Sequence, residues 1–406
     1  MQLPVYQINL SSALGGAEVY TRTFTAALLA RGRDTRVITL AGARFWEGLP
    51  MPAGVRLSVA DASQTPSLIP DGAVVIIHAP LAREVLAALL PRTRVVALAH
   101  QALYDDRWPV YYELAHERVP VSHHVAATLA ARGFASIWPE PLHAAIDLAR
   151  GVDADASRPL VSGRLCDWDS HKPRDRIVRA ALPWLSPLLG IVRPPVRFER
   201  RPGLTLGVVS RLAPLKQFSR LFECLREPLQ AYRQVTIEVF GAAVDYRALR
   251  EFRRAVAPLG NRVRLWGHQG DVARLYGNID YLLTGLPERE ALGLNVLEAQ
   301  ACGTPVLAPR SPPFTETVID GSGGFLYTDP REDGGRDFAT VLGRVVSGAQ
   351  PPDPRAAVGH LAHFGFEAFA DRVDRLAAGL ADRATGLAAQ ATGRAAPVDQ
   401  AARRST

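Results

Sequence analysis

Glu290-Ala291-Leu292-Gly293-Leu294-Asn295-Val296-Leu297-Glu298-Ala299-Gln300-Ala301-Cys302-Gly303-Thr304-Pro305-Val306 is the stretch that decides the fold. An apolar run, Tyr281 to Thr284, precedes it and reads as a strand. The stretch itself opens a helix, and Gly303-Thr304-Pro305 closes that helix and starts the next strand. Gly293 lets a bulky ligand approach the backbone. The first turn of a helix has unpaired N–H groups and the positive end of the dipole, which together seat a diphosphate. Glu298, inside the helix, can accept two hydrogen bonds from a ribose diol. Glu290, before it, can reach sugar hydroxyls. Two such carboxylates alone would read as solvated acids on an ordinary strand–helix unit. The full seventeen-residue pattern is what sets them apart.

Working outward, apolar runs alternate with helical patterns. In the first half, Leu3–Leu10, Thr35–Leu40, Val74–His78, Arg94–His100 and Val119–Ser122 read as strands. Helical patterns cover Gly16–Arg31 and His123–Arg132, with Leu81–Leu90 between two of the strands. The rhythm restarts after Pro202-Gly203. Leu204–Ser210, Val235–Phe240, Val263–Trp266, Tyr281–Thr284 and Pro305–Ala308 read as strands. One helix is expected to carry Leu215, Phe218, Leu221, Phe222, Leu225 and Leu229. Such alternation predicts two α/β parallel sheets in series, with the ligand expected in a cleft between them.

The Glu290–Val306 run resembles the E-x7-E motif of retaining glycosyltransferases of family four (glycosyl transferases group one), whose relatives read E-G-F-G-L-P-x-L-E-A-x-A-x-G-x-P-V. Glu290 and Glu298 match the two acids and Gly293 the second glycine. Ala291, Leu292 and Asn295 stand where relatives have glycine, an aromatic and proline. Ser210-Arg211-Leu212-Ala213-Pro214-Leu215-Lys216 resembles the family's G-R-L-x-P-x-K-G segment, with Gln217 in place of the last glycine. An Arg and a Lys at this strand–helix turn can offset the growing charge of a diphosphate. Leu14-Gly15-Gly16-Ala17-Glu18 resembles the family's N-terminal G-G-A-E loop, which faces the donor phosphates and sugar. Glu18 reads better as a helix cap than as a chemical group.

The resemblance implies a GT-B fold: two Rossmann-like parallel-sheet domains facing across a cleft. It places an acceptor-side domain at 1–195, with a basic insertion at about 158–201, and a nucleotide-sugar donor domain at 202–360. A helix at 361–386, carrying Phe366, Phe369, Val373, Leu376 and Leu380, is expected to cross back to the first domain. The tail from 387 to 406, rich in Ala, Arg and Gln, is read as disordered. The implied reaction is metal-independent retaining transfer of the hexosyltransferase type, with a UDP- or GDP-sugar as donor substrate and no cofactor. The catalytic set it implies is His100, Glu290, Lys216 and Arg211. Gly15, Gly16, His268, Gly293, Leu294, Asn295 and Glu298 join Arg211, Lys216 and Glu290 in donor binding, with the diphosphate on the 293–296 amides. His78 is a second histidine at a strand end, whereas His123, His124 and His143 read as structural or exposed.

Composition bounds the partners. The 406 residues carry a net charge of +7, with only two lysines, Lys172 and Lys216, among 47 basic residues. A lysine in such a chain marks a place where a compact ammonium suits better than a planar fork. Cys166, Cys224 and Cys302 are scattered, with no metal-ligand spacing, and suit a reducing compartment. Asp167-Trp168-Asp169 is discounted as a metal motif. No aromatic–basic pattern supports nucleic-acid binding. Residues 164–201 are basic and hold Trp184, Leu185, Leu188, Leu189 and Ile191. Docking on an anionic membrane and plain interdomain packing are both open for them. The expected acceptor is a saccharide or lipid-linked glycan of surface polysaccharide or glycolipid assembly. The expected location is the cytoplasm, with the inner membrane face as a peripheral contact. Two alternatives stay open: a nucleotide-sugar epimerase on the same fold, and an inactive nucleotide-sugar-binding scaffold.

Overall fold

The computed structural model describes residues 4–12, 16–43, 45–105, 108–148, 177, 181 and 198–393. Gly15, Asp167, Lys172, almost all of the basic segment and the tail from 394 lie outside the described residues. The chain forms two compact units. One contains residues 1–121, 125–142 and 367 onward; the other contains 122–124 and 143–366.

The first unit holds six parallel strands: β1 (Val5–Asn9), β2 (Thr35–Leu40), β3 (Arg56–Ala60), β4 (Val74–Ile77), β5 (Arg94–Ala99) and β6 (Glu117–Pro120). Their order is β3-β2-β1-β4-β5-β6. The second unit repeats the plan with β7 (Leu204–Val209), β8 (Val235–Phe240), β9 (Val263–Gly267), β10 (Tyr281–Leu283), β11 (Val306–Pro309) and β12 (Gly324–Tyr327), ordered β12-β11-β10-β7-β8-β9. Each sheet therefore reverses direction once, between β1 and β4 and between β7 and β10. In doubly wound sheets, ligands bind outside the carboxyl ends of the strands at that reversal.

Most strands are apolar because both sheet faces are covered there. β8 is buried at all six positions, Glu238 included. Its charge is compensated by Arg264 at 2.6 Å, Arg201 at 3.0 Å and the indole N–H of Trp266 at 2.6 Å.

Three features depart from the sequence reading. β3 and β12 are additional strands, each at the outer edge of its sheet. Leu57 and Val59 on β3 are 42% and 62% exposed, so the segment lacks the pattern of a buried strand. β12 has four residues and opens with a glycine, a residue depleted in strands. The helix expected over Leu215–Leu229 is broken into Phe218–Cys224 and Arg226–Ala231. Pro228 explains the break, because its ring clashes with the carbonyl four residues back, that of Cys224. The last helix runs from Phe366 to Gly393, past residue 386, through an alanine-rich stretch of high helix propensity. Its apolar stripe Phe369, Val373, Leu376 and Leu380 is buried in the first unit. Ion pairs from Arg31 to Asp371 and from Arg33 to Asp374 flank it, at 2.8 and 2.7 Å.

Residues 122–124 and 143–148 fall in the second unit for a specific reason. The Glu316 carboxylate accepts the backbone N–H groups of His123 and His124, at 2.9 and 2.6 Å, where helix His123–Ala131 begins. His143 reaches the same carboxylate at 3.3 Å. Ile146 N–H bonds the Phe364 carbonyl at 2.9 Å. Burial pushes the Glu316 carboxyl up, but the His143 hydrogen bond and the two N–H groups outweigh it and hold the group below its ordinary value. A carboxyl lowered on folding stabilises the fold above its unfolded pKa, and that contribution vanishes as pH falls through the folded value. Glu316→Gln is therefore expected to cost about 1–2 kcal/mol near neutral pH. Urea unfolding should show the gap to wild type closing below about pH 4. A gap that stays constant with pH would contradict the anchoring role.

Candidate donor site

The carboxyl edge of the second sheet collects most of the expected site residues. Arg211 lies just past β7 and is exposed. Backbone hydrogen bonds from Leu212 to Ala242 and from Val244 to Leu212 pin the turn that follows. Pro214–Lys216 then forms one turn of 3-10 helix. Gln217 next adopts a left-handed backbone, φ 53°, which explains why relatives place glycine there.

Across the sheet reversal, Gly285 follows β10. A Cβ on Gly285 would lie 2.2 Å from the Lys216 carbonyl oxygen. Only glycine lets the Lys216 turn rest against the end of β10. That contact brings the Lys216 ammonium into an ion pair with Glu290. The lysine side chain remains 28% exposed and the glutamate 13%. An ammonium has three donors, so Lys216 keeps capacity for a further anionic acceptor.

The loop holding Glu290 is fixed by its own backbone. Glu290 N–H bonds the Pro287 carbonyl at 2.9 Å, and Ala291 N–H bonds the Glu290 carboxylate at 3.2 Å. Ser122 Oγ donates to the Ala291 carbonyl at 2.5 Å. Gly293 sits at φ 82° as the N-cap of helix Leu294–Ala301, a conformation that glycine adopts without strain. Val296 N–H already bonds the Gly293 carbonyl at 2.9 Å. Of the amides expected to seat a diphosphate, those of Leu294 and Asn295 thus lack an intrahelical acceptor. Asn295 stands where relatives have proline, and its side chain donates to the Val209 carbonyl at the end of β7, 3.1 Å away. It ties the helix start to the strand that leads into Arg211. Leu292, in the aromatic position, is buried. Glu298 accepts from the Tyr276 hydroxyl at 3.2 Å. His268 follows β9 at the same carboxyl edge and is exposed.

In the first unit, Gly16 opens helix Gly16–Ala30 after β1, His78 directly follows β4, and His100 directly follows β5. All three lie at the carboxyl edge of that sheet. Burial pushes the His100 imidazole down to about 4, so it is neutral at physiological pH. His78 is held well below its ordinary value by burial and by neighbouring His100.

The structure thus joins Lys216 to Glu290 directly and places Arg211, Gly293, Leu294, Asn295, Glu298 and His268 along one sheet edge. Ser122, Tyr276, Gly285 and the side chain of Asn295 take part without having been singled out in the sequence. Only Gly285 carries a readable signal, as a glycine at the end of an apolar strand. Among the described residues, no cluster of three or more His, Cys, Asp or Glu side chains could hold a metal ion. Nor is any helix among them long and apolar enough to cross a membrane.

Residues 203–347 match the family model described as Glycosyl transferases group 1. The D-inositol 3-phosphate glycosyltransferase of Segniliparus rotundus is 26% identical over 382 residues, spanning 88% of this chain and 83% of that protein. The enzyme of the same name from Kribbella flavida is 41% identical over 80 residues, 19% of this chain and 18% of that protein. Among solved structures, HepE of Anabaena in complex with UDP superposes with a TM-score of 0.65 at 18% identity, covering 93% of this chain and 100% of that one. Sucrose-phosphate synthase from Thermosynechococcus elongatus gives 0.60 at 15% identity, covering 93% and 98%. With two six-stranded parallel sheets of the same strand order, these neighbours make the fold GT-B, and the match over 203–347 puts the glycosyl transferases group 1 pattern on the unit that carries Lys216, Glu290 and Glu298.

Proposed function

We propose that the chain is a retaining glycosyltransferase that moves a sugar from a nucleotide-diphosphate donor to a saccharide or lipid-linked acceptor. The observation that carries this reading is the Lys216–Glu290 ion pair, at the sheet reversal beside the glycine-capped start of helix Leu294–Ala301. The complex of HepE with UDP adds support for a uridine donor.

In this reading the diphosphate rests on the amides of Leu294 and Asn295, with Arg211 and Lys216 as its cations. Glu298 accepts the ribose hydroxyls, and Tyr276 orients that carboxylate. Glu290 orients Lys216 and contacts the sugar. The bond between the anomeric carbon and the diphosphate oxygen breaks, and the sugar gains oxocarbenium character. The acceptor oxygen bonds the same face of the anomeric carbon, and its proton passes to the leaving diphosphate. The negative charge that develops on the leaving group meets fixed positive groups, which is where rate enhancement arises. His100, neutral, contacts a substrate hydroxyl. No metal or cofactor enters the scheme.

Lys216→Ala is expected to lower kcat by roughly 100- to 1000-fold while changing donor Kd far less, because the charge it offsets is largest in the transition state. Steady-state kinetics alongside calorimetric donor binding checks this. Equal losses in binding and turnover would reduce Lys216 to a ground-state contact. The anomeric configuration of the product, read by NMR, should match that of the donor. Inversion would sink the retaining scheme, and an isomerised free nucleotide sugar would point to the epimerase.

A further inference from the structure

A hydrogen-bond chain in the first unit ends on an imidazole for which the proposed reaction has no use. Thr25 and Thr35 are fully buried, and each hydroxyl donates its proton to a backbone carbonyl: Thr25 to Thr21 at 2.8 Å, Thr35 to Val5 at 2.9 Å. Both hydroxyls can then only accept. The buried Gln7 amide nitrogen donates to both, at 3.0 and 2.9 Å. Gln7 Oε1 therefore faces the other way, toward His78 Nε2 at 3.0 Å. A carbonyl oxygen accepts, so His78 must carry its proton on Nε2.

His78 is 1% exposed, and its environment keeps it neutral. Its Nδ1 is thus a bare lone pair, buried and with no partner among the described residues. Such an acceptor requires a donor. The Phe24 ring packs edge-on against His78 at 5.4 Å and offers none. Tyr20 packs edge-on against His100 at 4.8 Å, but its hydroxyl donates to the Leu142 carbonyl at 2.8 Å. The remaining ring against His78 is that of His100, 6.1 Å away, centroid to centroid, and tilted by 25°. His100 Nε2 is itself buried with no partner among the described residues, although the residue as a whole is partly exposed.

We propose that His78 is a positioning residue that fixes His100 in its Nε2–H tautomer, so that His100 presents Nδ1 as an acceptor for a ligand hydroxyl. The two buried nitrogens complement each other, one a lone pair and the other a proton, joined directly after a small ring rotation or through one water. The threonine–Gln7–His78 chain fixes the direction of every bond up to His100. This assignment makes His100 a receiver of a hydroxyl proton in a hydrogen bond, not a donor to a substrate oxygen. That final step rests on the reading of His100 as a substrate contact; the tautomer itself does not.

The test is long-range 1H–15N NMR on the full chain labelled at histidine, with His100 assigned through His100→Gln. The wild-type protein should show His100 protonated on Nε2. His78→Leu removes the lone pair and should move His100 toward the Nδ1–H form, with kcat down on the order of tenfold. His78→Asn restores an acceptor near the Nδ1 position and should keep the Nε2–H form, which preserves a readout if the leucine variant does not fold. An Nδ1–H tautomer in wild type, or an unchanged tautomer in folded His78→Leu, overturns the proposal. Loss of the Nε2–H form in His78→Asn with the fold intact overturns it equally. Should wild type transfer no sugar from any donor, the functional reading falls while the tautomer assignment is still decided by the spectrum.

Discussion

The second unit depends on how closely the ends of β7 and β10 approach each other. Gly285 removes the side chain that would otherwise strike the Lys216 carbonyl, and the turn after β7 settles against the sheet reversal. The candidate site is assembled around that contact. Lys216 meets Glu290, Asn295 reaches back to the end of β7, and Gly293 turns the chain into helix Leu294–Ala301 beside them. The result is a cation, a helix start with two amides lacking an intrahelical acceptor, and the positive end of its dipole along one sheet edge. Each is weak in water, and together they are fixed before any ligand arrives, which is what electrostatic preorganisation requires.

The two units use one topology for different electrostatics. The carboxyl edge of the second sheet gathers charge: Arg211, Lys216, Glu290 and Glu298. The first unit instead brings together the rings of His78, His100, Tyr20 and Phe24. Burial holds both imidazoles uncharged, so they act through the direction of their hydrogen bonds.

Much of this plan is legible from residue order, because buried parallel strands are mostly apolar and helix starts carry glycine or small polar residues. The interior strands of both sheets read directly. β3 and β12 do not: β3 carries Arg56 and Ser58 among its apolar residues, and β12 offers only three apolar residues after a glycine. The run from Glu290 to Val306 reveals the loop of the candidate site, and the Arg211–Lys216 segment reveals the basic residues beside it. What stays hidden is what depends on the third dimension. Asn295 looks like a lost proline until its side chain is seen to bond Val209. Glu316 carries no local sign that it anchors the helix at His123. The break at Leu225 was readable from Pro228, yet the strong apolar period from Phe218 to Leu229 argued for one helix. His78 looks like a spare histidine until the donors and acceptors around Gln7 are counted.

Thermal unfolding with a panel of nucleoside diphosphates and their sugars, on wild type and on Glu298→Ala, tests the donor site most directly. A ligand at a hundred times its Kd that binds only the folded state stabilises it by about 2.7 kcal/mol, a shift easily read. One base should raise the wild-type midpoint, and Glu298→Ala should lose that rise, because the proposed ribose contact is removed while the fold remains. A panel in which no nucleotide shifts the wild-type protein would contradict the account, as would a shift that survives intact in Glu298→Ala.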